Sequence, residues 1–242
     1  MKTVMINASP KKKMSVSSYF LFLQRLFVGG KVIKEKLRNK GDHKRLLETV
    51  SEADSIVFCL PLYVDGVPSH VLMFLKELEQ YCRENSLDLN VYVISNGGFI
   101  EGNQNRVLMQ VFENFCNRSG INWCGGIGIG GGVMLNVMRI MFFIYFGIFL
   151  LNIISGSSLQ DALIYLAKQW GIILFFNIGV LFYNIGMGTA ISRGRRFGVK
   201  FTRAMMPSFL FIIVADIFFI LISIFKGGIF RGWLKGSSKK SL

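Results

Sequence analysis

SIVFCLPLY, residues 55–63, is a continuous apolar run between Asp54 and the turn-forming segment VDGVP (64–68). Such a run predicts a strand inside a sheet that is covered on both faces. The neighbouring segments fit that sheet. Upstream, TVMIN (3–7) predicts a buried strand, 17–28 a helix with apolar residues at 20, 21, 23, 26 and 27, and 31–37 an edge strand. Asp42 is placed to cap a helix that runs to about Ser51. Downstream, Pro68 opens a helix to about Cys82, LNVYVIS (89–95) is a strand, 103–117 a helix and INWCGGIGI (121–129) a last strand. Five strands separated by four helices imply a doubly wound parallel α/β sheet with right-handed crossovers.

From about residue 133 the chain changes solvent. Residues 140–160 and 169–192 carry no charge, and 208–225 carry only Asp216. A bilayer core takes roughly 20 mainly apolar residues as helix. The expected organisation is therefore a domain over 1–132 and a helical membrane-anchor region over 133–242, with candidate segments 134–155, 170–191 and 208–226. The glycines of 125–132 mark the boundary. In a second reading, 134–155 is the domain's own last helix.

Charge follows the same division. Residues 1–130 hold 16 Lys/Arg against 12 Asp/Glu, whereas 131–242 hold 12 against 2, so most of the net +14 belongs to the apolar half. The surplus sits at the ends of apolar runs, where it meets anionic headgroups, and this argues against nucleic acid as the partner. With residues 1–132 in the cytoplasm, two spans return Arg193, Arg195, Arg196, Lys200 and Arg203 to that side. A third span would export Lys226, Arg231, Lys235, Lys239 and Lys240 against the positive-inside rule. Span number and self-association stay open.

Several chemistries lack raw material. Met1-Lys2 leads straight into a strand, with no secretory signal legible. Cys59, Cys82, Cys116 and Cys124 show no CxxC spacing and read as reduced thiols. His43 and His70 are the only histidines, so neither a histidine metal site nor a Ser-His triad is expected. Gly126, Gly128 and Gly131 spell GxGxxG, but after the last strand rather than the first, and they read as a flexible turn.

Ligands of such sheets bind outside the carboxyl ends of the strands, where the strand order reverses. After the first strand, ASPKKKMSVSS (8–18) combines hydroxyls, lysines and a helix N-terminus, the elements of an anion site. Ser17 alone could instead cap the helix. After the third strand, Tyr63 stands between prolines and a glycine and can offer its ring to a planar ligand. After the fourth, SNGGF (95–99) lets backbone approach a ring edge closely. Asp65 and Glu101 read as solvated loop carboxylates, and no residue is assigned as catalytic acid or base.

INASPKKKMSVSS, ADSIVFCLPLYVDGVPSHV and the SNGGF loop together resemble flavodoxin-like NAD(P)H-dependent FMN reductases and quinone reductases over roughly residues 1–130. The resemblance implies a flavodoxin-like five-stranded sheet of order 2-1-3-4-5 with FMN at the strand ends. It places Ser9, Lys11, Ser15 and Ser17 on the phosphate. Pro61, Leu62, Tyr63 and Val64 flank the isoalloxazine, and Asn96, Gly97, Gly98 and Phe99 border its other edge. Ala8 replaces the family's glycine and Lys11 its arginine, a point charge in place of a bidentate fork. The implied activity is a membrane-anchored, FMN-dependent transfer of electrons from NAD(P)H to a quinone, flavin or similar acceptor, at the cytoplasmic face of the cell membrane. The alternatives are an FMN electron relay for a membrane partner, and a scaffolding membrane protein whose flavin site has decayed.

Overall fold

The computed structural model describes residues 1–11 and 15–225. Lys12, Lys13 and Met14 of the first loop, and the basic residues from Lys226 onward, lie outside the described residues. The described chain divides into two compact units, Met1–Met205 and a second beginning at Met206.

In the first unit the apolar run forms β3 (Ser55–Pro61), flanked by β1 (Lys2–Asn7) and β4 (Asn90–Asn96). The sheet continues through β2 (Lys31–Lys36) on one side and β5 (Asn122–Gly130) on the other. Beyond β5 lies a strand not expected from the sequence, β6 (Gly198–Arg203), so the parallel sheet has six strands in the order β2-β1-β3-β4-β5-β6. Residues 121–129 therefore do not form the last strand. In the sequence, Lys200 and Arg203 of GVKFTR stand among the cations between two apolar runs, which hides the strand. Its alternation is nonetheless that of a strand, with Val199 and Phe201 packed on the core. β2 (KVIKEK) is the opposite edge, and its exposed lysines discourage further strand pairing.

Strand side chains alternate between two cores. Ile56, Phe58 and Leu60 meet α2 (His43–Ser51), α3 (Ser69–Asn85) and α4 (Arg106–Ser119) through Leu46, Phe74 and Phe112. Val57 and Cys59 face the other way, towards Phe20 and Leu21 of α1 (Val16–Phe27) and Val180, Met187 and Ile191 of α6 (Leu159–Ser192). Asp42 stands at the start of α2 but makes no side-chain cap there; its carboxylate accepts from the Arg38 and Asn39 amides.

Gly126 and Gly128 are not turn residues but lie inside β5. A Cβ on Gly128 would stand 2.6 Å from the Phe201 ring and 2.9 Å from Asn105 Cβ, so the missing side chains let neighbouring chain pack directly on the strand. Gly131, at φ 67°, makes the turn into α5 (Gly132–Ile154).

The 34 residues of α6 rise over roughly 51 Å, and its two halves have different neighbours. The second half runs beside α1: Gln24 donates to the Asn184 carbonyl (3.2 Å), Gly188 packs on Phe27, and Ser192 Oγ accepts from the Gly29 amide (2.8 Å). The first half pairs with α5. Trp170 stacks on Phe142 at 4.1 Å while donating to its carbonyl (3.1 Å), and just past the midpoint Asn177 still lies 3.5 Å from Met138 Sδ of α5. Where the two halves meet, the Phe176 carbonyl accepts from the Met205 amide just past the end of β6 (3.0 Å). Residues 159–175 of α6 and the greater part of α5 have therefore passed the carboxyl edge of the sheet, by roughly 25 Å.

This projecting hairpin is apolar on its outside, with Phe143, Leu151, Ile154, Ile164 and Phe175 exposed. By length and composition α5 and α6 could each cross a membrane, and the most apolar window of α5 has no buried residue. One expectation changes: the second half of 170–191 lies on the sheet, where Gly186 and Gly188 serve packing against Phe197 and Phe27. The second unit contributes α7 (Ser208–Phe225), an apolar helix on which Asp216 is exposed.

A chain ending at Gly130 is expected to aggregate, because Met5, Tyr92, Ile94 and Ile127 lose the cover of α6 and the sheet loses β6. A chain ending at Met205, with residues 141–173 replaced by a short Gly-Ser turn, is expected to elute as a soluble monodisperse domain on gel filtration. The reverse ranking would contradict the division of α6.

Candidate functional site

The loops that follow β1, β3 and β4 meet at the carboxyl edge of the sheet. Ala8 N donates to the Cys59 carbonyl (2.9 Å), and His70 Nε2 lies 3.1 Å from the Ala8 carbonyl. Leu62 N donates to the Asn96 carbonyl (2.9 Å). The Asn96 amide donates to Ser17 Oγ (3.2 Å) and to the Leu60 carbonyl (3.1 Å). Hydrogen bonds thus join the three loops into one rim.

The serines of the first loop divide by role. Ser15, not Ser17, is the N-cap of α1: its Oγ accepts from Ser18 N (3.1 Å), and Ser18 Oγ accepts from Ser15 N (3.1 Å). A hydroxyl that accepts one bond still has a proton to donate, so Ser15 can also serve an anion. Ser17 is 1 % exposed and enclosed by Asn96 and Cys59, which makes it a bracket between loops. Ser9 is buried with its amide on Asn7 Oδ1 (3.1 Å), and Lys11 is exposed.

After β3 the chain turns in two residues. The Tyr63 and Gly66 amides and carbonyls bond to each other (3.2 and 2.9 Å), and Val64 and Asp65 take φ of 47° and 54°. This left-handed pair normally calls for Asn-Gly, and a β-branched residue there is strained by about 1–3 kcal/mol. The strain holds Val64 fully exposed and Tyr63 half-exposed at the rim. After β4, Gly97 N donates to the Ile129 carbonyl (2.9 Å), and Phe99 stands out 65 % exposed. A side chain on Gly98 would meet nothing within 4 Å, so the space before it is open.

Glu101 is not simply solvated, since it pairs with Arg203 at the end of β6. Asn105 escaped the sequence reading, though it fixes this loop: it accepts from Ser95 Oγ (2.6 Å) and donates to the Gly102 carbonyl (2.9 Å). An isolated asparagine before a helix carries no signal for that role. The four cysteines are free and buried. Burial pushes the Cys82 thiol up to about 11, and those of Cys59 and Cys116 further, so none offers a thiolate near neutral pH. Among the described residues no cluster of His, Cys, Asp or Glu could hold a metal ion.

The parallel α/β sheet and its strand order make the fold flavodoxin-like. No family model matches the chain, and no curated protein matches it. Solved structures similar to it include the Trp repressor binding protein of Bacillus subtilis (17 % identity, TM-score 0.45), over 53 % of this chain and 84 % of that one. An NADPH-quinone reductase from P. pentosaceus is 14 % identical (TM-score 0.45) over 70 % of this chain and 98 % of that one. An NAD(P)H:quinone oxidoreductase from Methanothermobacter marburgensis is 16 % identical (TM-score 0.45), over 57 % and 92 % respectively.

Replacing Val64-Asp65 by Asn-Gly is expected to raise stability by about 1–2 kcal/mol, read as a higher denaturant midpoint in detergent. A midpoint that is unchanged or lower would mean that the left-handed pair is not strained.

Proposed function

We propose that this chain is a membrane-anchored FMN-dependent oxidoreductase that passes electrons from NAD(P)H to a quinone, a flavin or a similar acceptor. Its flavin domain lies on the cytoplasmic side of the cell membrane. The observation that carries this reading is a coincidence of edges: the apolar hairpin leaves the sheet at the same carboxyl edge that carries the three loops. A hairpin seated in a bilayer brings that rim to headgroup level.

The residues present fit a flavin mononucleotide. The half-exposed Tyr63 ring and the open space before Gly98 suit a planar ring system, with Pro61, Leu62 and Val64 on the same side. Asn96, Gly97 and Phe99 border its far edge. Lys11, Ser9 and the free proton of Ser15 suit the phosphate, whereas Ser17 acts by holding Asn96 in place. When bound, the flavin supplies the hydride and electron chemistry. The protein's part is orientation by Tyr63, charge from Lys11 and a rim preset by hydrogen bonds. With their thiols held protonated, the cysteines stay out of the redox path.

Protein purified in detergent is expected to show the visible absorption of an oxidised flavin, and the chromophore released on denaturation to have the mass of FMN. Ser15→Ala should weaken FMN retention by about tenfold, the value of a hydrogen bond to a charged acceptor. Ser17→Ala should lower stability first. NAD(P)H should bleach the bound flavin, and an added quinone should restore it. Colourless protein that fails to retain added FMN on gel filtration would sink the reading.

A further inference from the structure

Where the hairpin leaves the sheet, α1, α5 and α6 enclose a cavity of about 600 Å³, within the usual range for small-ligand sites. Its walls are mostly apolar, with Phe22 from α1, Phe143 from α5 and Ile173 and Leu174 from α6. Three polar residues also line it: Tyr19, Arg139 and Asn177.

Two of these have unmet valences. Asn177 is 4 % exposed; its Nδ2 donates to the Ile173 carbonyl (2.8 Å), while its Oδ1 is buried with no hydrogen-bond partner. A buried acceptor left in this state is costly unless a ligand supplies a donor. The Arg139 guanidinium lies 5.2 Å over the Tyr19 ring, and no carboxylate among the described residues pairs with it. Burial raises the Tyr19 phenol, with Arg139 opposing, so it stays neutral.

The order of these groups along the hairpin has a direction. α5 runs outward from Arg139 to Phe143, and α6 returns inward from Ile173 to Asn177. The polar groups therefore stand nearest the sheet, and the apolar walls continue towards the tip. A lipid in the adjoining leaflet has the same polarity.

We propose that the cavity holds one membrane phospholipid. Its phosphate rests on Arg139, a head-group hydroxyl or ammonium donates to Asn177 Oδ1, and one acyl chain lies along Phe143 and Leu174. The charge of Arg139 selects an anionic head over the neutral ring of an isoprenoid quinone. The proposal rests on the reading of the hairpin as bilayer-embedded.

The test uses full-length protein, washed in dodecyl maltoside and titrated with radiolabelled dioleoylphosphatidylglycerol. The wild type is expected to retain about one label per chain. Arg139→Gln should bind about tenfold more weakly, as when one charge-assisted contact is lost. Leu174→Trp, which fills the cavity and leaves the cation, should weaken binding similarly and keeps the test decisive if the arginine variant misfolds. Lys168→Gln, on the same hairpin outside the cavity, should bind as the wild type does. Wild-type retention by both cavity variants, no retention by the wild type, or one-for-one displacement by decylubiquinone would overturn the proposal. Alkaline carbonate extraction separates the premises: protein that stays in the pellet but fails the titration refutes the lipid site alone. Protein released to the supernatant refutes the embedded hairpin.

Discussion

Val180, Met187 and Ile191 of α6 close the sheet face that α1 leaves open, and the geometry of the first unit depends on that seal. Each buried aliphatic side chain of this kind contributes about 1.5–3 kcal/mol, and the glycines at 186 and 188 let the helix come close enough to collect it. Once the second half of α6 is pinned to the sheet, its first half has only one course, outward past the carboxyl edge. α5 must follow the same course, because the turn at 155–158 joins it to that outer end. The projecting hairpin is therefore continuous in helix with the crossover that packs on the sheet.

The consequence is positional. A doubly wound sheet offers its ligand site at the carboxyl ends of its strands, and here the outward half of α6 leaves from that end. Bonds from Asn96 to Ser17 and Leu60 tie the rim to the start of α1 and the end of β3. A bilayer that took up the hairpin would set the depth of the rim, and exchange with a lipid-dissolved acceptor would need no further docking partner.

Much of this was legible in the sequence, and the gaps have physical causes. The first five strands and their helices could be read because each shows either a continuous apolar run or its own period, and the three loops followed from the strand ends. β6 was obscured because its six residues stand between cationic turns and long apolar runs, which dominate any window wide enough to judge hydropathy. The division of α6 was obscured for a different reason. A helix that is apolar all round looks the same whether a sheet or lipid covers it, and only the partners of Asn184, Gly188 and Trp170 separate its halves. The roles of Ser15 and Ser17 were assigned together because two hydroxyls two residues apart look equivalent until the helix start is fixed. Asn105 and the Val64-Asp65 turn needed coordinates, the latter because its residue types argue against the conformation it adopts.

The proposal that the carboxyl edge of the sheet lies against a bilayer can be measured directly. All four native cysteines are buried, so single spin labels at Val64→Cys and Asp88→Cys report their own surroundings in full-length protein reconstituted into vesicles. Position 64 is on the rim, and Asp88 is at the opposite end of the strands, where it accepts from Asn122 (2.8 Å). The account predicts that a water-soluble nickel chelate relaxes the label at 64 much less than the label at 88, while lipid-dissolved oxygen does the reverse. Equal access of the chelate to both positions, or greater access at 64, would contradict it.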